Sequence, residues 1–360
     1  MIRLAISAVL IAVVLTAAGV LPSSGWAGAA EARGDAKSDE RKATIARAQV
    51  WSPGAIATRD IKAGAVESNG FPFQATVTCD YFPKQLSGAS PKFACLIGKD
   101  EVKVKFGGTN AEVYAEVAST RLLWALGFGA DRMYPVRVIC RGCPQTFGGI
   151  ARENNESLFD PATIERKLPA REFGEAWSWK ELDLVDEKAG GAPRAHRDAL
   201  KLLAVFLQHT DTKPQQQRVV CLGEAPDAKE GACARPLMMI NDVGLTFGRA
   251  NMFNVNGKAM HLVQWASTPV WKDAPGCVGN LPKSLTGTLN DPVISEEGRA
   301  FLAGLLTQLT DRQIYDLFDI ARTTLRTRDP GRGRSGFATV EEWVDAFKLK
   351  RAQIVDRRCA

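Results

Sequence analysis

Short segments of alternating or uniformly hydrophobic residues predict a β-sheet in the first half of the chain. FQATVTCDY at 73–81 alternates, KFACLI at 92–97 is almost entirely apolar, and EVKVKF at 101–106 alternates again. Alternation is typical of half-buried strands, and a short apolar run is typical of buried ones. MYPVRVIC at 133–140 predicts a fourth strand. The segment from about 141 to 193 is rich in turn formers and predicts irregular structure.

Helical spacing predicts a helix between the third and fourth strands and a longer helical region later. Thr109 and Glu112 match a capping box, so the first helix is expected to begin there. Its apolar face would comprise Ala115, Ala118, Leu122, Ala125 and Leu126. RDALKLLAVFLQH at 197–209 predicts an apolar helix, and RPLMMIND at 235–242 predicts a buried strand that ends at an aspartate.

Two further helices are predicted near the C-terminus, and each begins with a capping box. The pairs are Thr310 with Gln313 and Thr339 with Glu342. Strands followed mostly by helices favour a small sheet-rich part and a larger helical part. We see no internal repeat.

The first 29 residues have the composition of a secretory signal. One arginine precedes an apolar run from Leu4 to about Leu21, and Ala27-Gly28-Ala29 resembles a cleavage site. An uncleaved anchor is the alternative, because the run is close to the roughly twenty residues that span a bilayer. Either reading indicates a periplasmic or secreted protein, and after removal of a cleaved signal no membrane span is expected. The formal net charge of +6 is dispersed and does not favour nucleic-acid binding.

Eight cysteines in an exported chain indicate disulfides. The pairing that best fits the spacing joins near neighbours first and leaves the last two for each other: Cys79–Cys95, Cys140–Cys143, Cys221–Cys233 and Cys277–Cys359. Sequence alone does not determine this connectivity. A redox pair or half of a zinc site remains open for the CRGC segment.

Several polar residues match the needs of phosphoryl transfer, which requires a flexible loop over phosphates, a lysine held by a glutamate, a carboxylate base and oxygen ligands for a metal. The loop candidate comprises Ser87, Gly88, Ala89 and Ser90, between the first two strands. Lys105 ends the VKVK segment of the third strand, and Glu116 lies beside the apolar face of the following helix, where an unpaired carboxylate would be costly. A plain hairpin turn and solvated faces are the alternatives.

The segment FLQHTDTKPQQQ supplies the remaining groups. Protein kinases carry His-x-Asp with an amide ligand five residues after the aspartate, and Asp211 and Gln216 have this spacing. Lys213 lies between them. Asp242, followed by Val and Gly, comes 26 residues after Gln216 at the end of a predicted strand, where kinases keep a metal-binding aspartate.

Three segments resemble known kinase families. LSGASPKFACL resembles the nucleotide loop of the HipA-like bacterial kinases, and AEVASTRLLWALGFGADRMYPV and INDVGLTFGR resemble segments of the secretory-pathway kinases related to the Golgi casein kinase. The likeness covers roughly residues 73–250. It implies an α+β, two-lobed protein-kinase-like fold stabilised by disulfides, with a small β-rich N-lobe that carries one ion-pair helix and a larger, mainly helical C-lobe.

The resemblance also implies roles and boundaries. Lys105 and Glu116 would position the phosphates of ATP beneath the loop at 87–90, Asp211 would be the catalytic base and Lys213 would neutralise the transferred phosphate. Gln216 and Asp242 would hold Mg²⁺ or Mn²⁺. The expected organisation is a signal peptide at 1–29, a flexible segment at 30–65, an N-lobe at 66–170 and a C-lobe at 171–360.

The sequence departs from these families in ways that leave the function open. Glutamine replaces asparagine at 216, only eleven residues separate Lys105 from Glu116, and no Ala-Pro-Glu signature follows Asp242. The first reading is an exported kinase that phosphorylates a hydroxyl of a protein or small molecule. The alternatives are a catalytically inactive, pseudokinase-like binding protein of the envelope and an unrelated disulfide-rich protein. The acceptor is not indicated.

Overall fold

The computed structural model describes residues 38–65, 69–174, 176–229, 231–248, 259–272, 276–326 and 338–359. The predicted signal peptide at 1–29 lies outside the described residues. Within the described ranges, no helix has both the length and the apolar character needed to cross a membrane. The predicted division at residue 170 stays a prediction.

Six strands form the larger sheet. In chain order they are β1 (Thr76–Phe82), β2 (Lys92–Ile97), β3 (Asp100–Phe106), β4 (Arg132–Arg141), β5 (Ile150–Ala151) and β6 (Glu156–Arg166). Their order in the sheet is β3-β2-β1-β4-β6-β5, and β3 also pairs with β6, so five strands close into a ring. β1 and β4 are parallel, whereas the other pairs are antiparallel. The four predicted strands are confirmed.

The prediction of irregular structure from about 141 to 193 is wrong, because that segment contains β6, an eleven-residue strand that closes the ring. Pro161 interrupts its alternating pattern, and a proline normally argues against a central strand because it lacks an N–H donor. The pairing of β6 with β4 shifts register at this point: the shift lies between Val136 and Val138 of β4, opposite the proline. Sequence periodicity alone therefore did not reveal this strand.

A helix connects β3 to β4, and a second, smaller sheet follows. The elements are α1 (Glu112–Leu126), β7 (Arg171–Glu172), α2 (Arg194–Leu207), β8 (Gln217–Cys221) and β9 (Pro236–Ile240). The helix α1 is buried along nearly its whole length, so the predicted apolar face is correct but too narrow. Strands β7, β8 and β9 form an antiparallel sheet in that order.

The last part of the described chain is mostly helical. Its helices are α3 (Leu262–Ser267), α4 (Glu296–Leu306), α5 (Asp311–Ile320) and α6 (Val340–Val355). The predicted capping boxes of α5 and α6 are both present. The capping box predicted at Thr109 and Glu112 is wrong: α1 has no side-chain cap from Thr109, and the Glu112 N–H donates to Asn110 Oδ1 at 3.2 Å.

Two apolar clusters form most of the core. One lies within the larger sheet, and the other joins α1 to the helices α2 to α6. All eight cysteines are paired, and the four disulfides have the expected connectivity. A thiolate zinc ligand at Cys140 or Cys143 is incompatible with their mutual disulfide. The mixed α/β architecture and the disulfides predicted from the sequence are thus confirmed.

Lys350 of α6 is a buried charge whose cost to stability can be measured. Its Nζ donates to the Thr268 carbonyl at 2.7 Å and lies 5.5 Å from the Trp265 ring centroid. Burial lowers the pKa of Lys350 to about 7. Since the unfolded value is about 10.4, the unfolded chain binds more protons between these limits, and stability should rise with pH across that window.

We therefore expect Lys350→Met to raise the free energy of unfolding by about 2 kcal/mol at pH 7. The wild type should also gain about 2 kcal/mol of stability between pH 7 and 9, and the variant should lack this gain. Urea unfolding at pH 7, 8 and 9 measures both effects. Lys348→Met, which removes a partly exposed lysine of the same helix paired with Asp311, is the control. Parallel pH profiles for wild type and Lys350→Met would contradict the prediction.

Candidate functional site

A cavity of about 1000 Å³ is lined by nine of the ten residues predicted to form the site. They come from four separate parts of the chain: Ser87, Gly88, Ala89, Ser90, Lys105, Asp211, Lys213, Gln216 and Asp242. Glu116, the tenth, is buried and contacts Lys105. The folded chain therefore brings together residues that are up to 155 positions apart in the sequence, from 87 to 242.

Lys105 is the buried cation of the site. It lies near the end of β3 with 1% of its surface exposed, and its Nζ forms ion pairs with Glu116 Oε1 and, at 2.7 Å, with Glu112 Oε2. Burial disfavours its charge, but the carboxylates of Asp242, Glu116 and Glu112 hold the pKa of Lys105 well above its ordinary value. Lys105 is thus an ammonium ion within a group of carboxylates.

Glu112 is a site residue that the sequence interpretation assigned to a capping box. Its Oε2 accepts hydrogen bonds from Lys105 Nζ and from Ser90 Oγ, both at 2.7 Å. Glu112 and Glu116 are one helical turn apart, so they share a face of α1. That spacing was the available signal that both carboxylates could reach one lysine.

The loop at 87–90 connects β1 to β2 and lines the cavity. Gly88 has φ of 86°, a conformation that favours glycine. A Cβ there would also come within 2.8 Å of Lys92 Nζ. The loop therefore lies close to two lysines. Gly88 lies beside Lys92, and Ser90 is linked to Lys105 by their shared hydrogen-bond acceptor, Glu112.

Asp211 accepts two hydrogen bonds from the residues predicted to act beside it. Its Oδ2 lies 3.0 Å from Lys213 Nζ and 2.6 Å from Gln216 Nε2. The helix α2 ends at Gln208 in the left-handed conformation, and a 3-10 helix at Pro214–Gln216 follows. These two turns direct three side chains from six consecutive residues toward one another.

His209 lies at the start of this segment and is fully buried. Burial lowers the pKa of His209 to about 4, so the imidazole is neutral at pH 7. A neutral, buried ring cannot supply a positive charge to the cavity. The charge near Asp211 is supplied by Lys213 instead.

Asp242 follows β9 and is tied to the Asp211 segment through the backbone. The Gln216 carbonyl accepts from the N–H groups of Asn241 at 2.7 Å and Asp242 at 3.3 Å. Burial opposes ionisation of Asp242, but the charge of Lys105 and a 3.0 Å hydrogen bond from the Gly244 N–H hold its pKa well below the ordinary range. Asp242 is therefore ionised at neutral pH.

The donor set around Asp242 fits a small divalent cation. Mg²⁺ prefers oxygen ligands and is often held by one or two protein side chains together with phosphate oxygens. Gln216 Nε2 donates a hydrogen bond to Asp211, so the amide oxygen of Gln216 points away from Asp211. The Asp242 carboxylate and the Gln216 amide oxygen would hold Mg²⁺ or Mn²⁺, and such an ion would neutralise phosphate charge.

The cavity also contains residues that sequence analysis did not identify. Thr286 lines it, and the nearby Thr288 donates from its N–H and its hydroxyl to the Thr212 carbonyl at 3.1 and 2.8 Å. These contacts hold the segment around Thr286 beside the catalytic candidates. No local sequence signal marks this segment, because the contacts join residues 76 positions apart.

Comparisons with known proteins give little guidance. No family model matches the chain, and no curated protein matches it. Among solved structures, the chain is similar to the Helicobacter pylori proinflammatory kinase CtkA, with 11% sequence identity over 79% of this chain and 96% of that chain and a TM-score of 0.43. A similarity of this degree carries no argument about activity, so the proposal below rests on the site itself.

Proposed function

We propose that this chain is an exported atypical kinase that transfers phosphate from ATP to a hydroxyl group of a protein or small molecule of the cell envelope. One observation carries the proposal: Lys105 with its glutamates, Asp211 with Lys213 and Gln216, and Asp242 all surround one cavity. An unrelated fold in which these residues matched by chance would have scattered them. Their convergence supports a phosphoryl-transfer site.

Each group has a separate task in this proposal. Lys105 binds nucleotide phosphates, and Glu116 keeps its ammonium group in position. Asp211 orients the acceptor hydroxyl and accepts its proton as the acceptor oxygen bonds to the γ-phosphorus and the bond to the ADP oxygen breaks. Lys213 stabilises charge on the transferred phosphate. A bound divalent ion supplies electrostatic stabilisation of the phosphates.

The charges of the site support a requirement for metal. Burial raises the pKa of Glu116 well above its ordinary value, whereas Glu112 and Asp242 are ionised beside Lys105. These two carboxylates alone outnumber the buried lysine of the site. Triphosphate brings further negative charge. A divalent cation beside Asp242 would offset this repulsion, which is why we propose ATP together with Mg²⁺ or Mn²⁺ as the ligand.

The larger architecture is also consistent with the proposal. The closed ring of strands and α1 would form the N-lobe at 66–170, and the smaller sheet with the later helices would form the C-lobe at 171–360. Four disulfides fit an oxidising compartment outside the cytosol, so we propose a periplasmic or secreted protein.

A pseudokinase-like binding protein is the second candidate, and Gln216 favours it. Gln216 carries one more methylene than asparagine, and its amide donates to Asp211, the proposed base. In such a site the proposed base already accepts two hydrogen bonds, and the metal ligand is one methylene longer than asparagine. The site could then bind nucleotide without transferring phosphate. The binding experiment below and the transfer experiment in the Discussion separate these candidates.

Removal of Asp242 should abolish the metal-dependent binding of ATP. We expect ATP with Mg²⁺ or Mn²⁺ at about 100 times its Kd to stabilise the wild type by about 2.7 kcal/mol, and neither ion to restore this gain in Asp242→Ala. Thermal unfolding of the oxidised, mature protein measures the shift. Asp183→Ala removes a largely exposed aspartate and serves as the control.

An equal, metal-dependent shift in Asp242→Ala would show that the metal is held elsewhere. The absence of any nucleotide shift in a well-folded wild type would contradict both the kinase and the nucleotide-binding pseudokinase. It would leave a protein of this fold that binds a different ligand.

A further inference from the structure

The Glu112 side chain lies between three parts of the proposed site. Its carboxylate accepts from Lys105 of β3 and from Ser90 of the loop, both at 2.7 Å. On its third side is Gly244, the second residue after Asp242, where a Cβ would lie 2.6 Å from Glu112 Cγ and 3.0 Å from Cδ. One side chain thus closes the loop over the lysine and packs against the metal-binding segment.

The groups that hold this carboxylate are suited to a phosphate. A buried ammonium and a hydroxyl of a small-residue loop donate charge-assisted hydrogen bonds to anions, and phosphate oxygens accept them as carboxylate oxygens do. Burial opposes ionisation of Glu112, but Lys105 and the hydrogen bonds to its carboxylate hold the pKa below its ordinary value. An anion belonging to the chain itself therefore lies where the anion of the ligand would need to bind.

We propose that Glu112 is an internal competitor for the phosphate site. In the ligand-free protein its carboxylate occupies the position of a nucleotide phosphate and latches the loop at 87–90 onto Lys105. A bound phosphate displaces it. This inference rests on the proposed function, because it assumes that the cavity binds phosphate groups.

The two glutamates of α1 differ in a way that suits them to different tasks. Glu116 lies one turn inside the helix with 3% of its side chain exposed, whereas Glu112 is the first residue of the helix and is 14% exposed. Because Glu112 begins α1, its displacement would disturb no preceding turn of the helix. Glu116 stays behind Lys105 and keeps the ammonium in place when Glu112 leaves.

The test compares wild type with Glu112→Gln, which keeps the size of the side chain and removes its charge. We expect faster hydrogen exchange of the amides at 85–90 in the ligand-free variant and about tenfold tighter binding of ATP with Mg²⁺ and of inorganic pyrophosphate. Isothermal titration calorimetry measures the binding. Ser90→Ala, which removes only the loop side of the contact, should also accelerate exchange.

Glu101→Gln is the matched control, because Glu101 is an exposed glutamate of β3 that pairs with Lys84. Equal or weaker binding of both ligands by Glu112→Gln would overturn the inference, since Glu112 would then act as a structural residue or a metal ligand. Unchanged exchange of the loop amides would overturn it as well.

Two outcomes separate this inference from the proposed function. Tighter pyrophosphate binding by Glu112→Gln, with no ATP binding by either protein, would support the competition and contradict the kinase proposal. Equal ATP binding by both proteins would support a nucleotide site and overturn the competition. Failure of both proteins to bind any phosphate ligand would overturn both.

Discussion

Replacing Asp211 with asparagine is expected to slow phosphate transfer by about 10²- to 10⁴-fold while leaving the affinity for ATP and metal nearly unchanged. The asparagine oxygen can accept from Lys213 Nζ and Gln216 Nε2 as the carboxylate does, so the local structure should persist. The variant cannot accept the proton of an acceptor hydroxyl. The loss should therefore affect the chemical step alone.

Because the acceptor is not identified, transfer is best followed as self-phosphorylation and as ATP hydrolysis, with ADP release as the common readout. The thermal shift with ATP and metal reports binding in the same samples. Asp183→Asn, at an exposed position that pairs with Lys201, is the matched control. Equal rates for Asp211→Asn and wild type would contradict the assignment of the base. Metal-dependent binding without transfer in the wild type would instead favour the pseudokinase.

The parts of the site that could be predicted are those set by short-range patterns. Asp211, Lys213 and Gln216 lie within six residues, and their mutual hydrogen bonds are made inside one turn. Strand alternation placed Lys105 on β3, and the end of an apolar run placed Asp242 after β9. Such positions follow from local chain geometry, so a sequence can indicate them without knowledge of the fold.

The role of Glu112 could not be recovered in this way. Thr109 and Glu112 match a capping box, yet the carboxylate bonds to Ser90, which is 22 residues away, and to Lys105. A buried ammonium attracts a carboxylate more strongly than a backbone N–H at an accessible helix end does. The tertiary contact therefore prevailed over the local one. The helix begins at Glu112 with Ala111 as its N-cap, and the Glu112 N–H donates to Asn110 Oδ1.

The closure of the sheet was hidden for a different reason. β6 pairs with both β4 and β3, and its pairing with β3 joins residues about 60 positions apart. A proline within the strand weakened the only local signal. Disulfides were easier to anticipate, because three of the four join cysteines separated by 16 residues or fewer.

Replacing Lys105 with methionine should have the largest effect on stability. The ammonium is the shared partner of Glu112, Glu116 and Asp242, and its removal leaves buried carboxylates without their cation. Breaking a buried ion pair by removing one partner costs about 3–5 kcal/mol. We expect a loss of this size at pH 7, measured by urea unfolding, together with loss of ATP binding.

The pH dependence of this loss follows from the carboxylates. Without Lys105 their pKa values rise in the folded state, so the folded protein binds more protons than the unfolded chain above about pH 4. The stability deficit of Lys105→Met should then grow as pH rises and shrink as pH falls toward 5. Lys105→Met/Glu116→Gln should recover part of the deficit at pH 7, because one buried charge is removed with the other.

Lys84→Met provides the control, since Lys84 pairs with Glu101 of β3 and both side chains are exposed. Its loss should cost about 1 kcal/mol or less. If Lys105→Met were no less stable than Lys84→Met from pH 5 to 8, the folded state would not depend on Lys105 to hold the three carboxylates. The double variant would then show no coupling, and Glu112 would lack the electrostatic attraction to Lys105 through which it would compete with a phosphate.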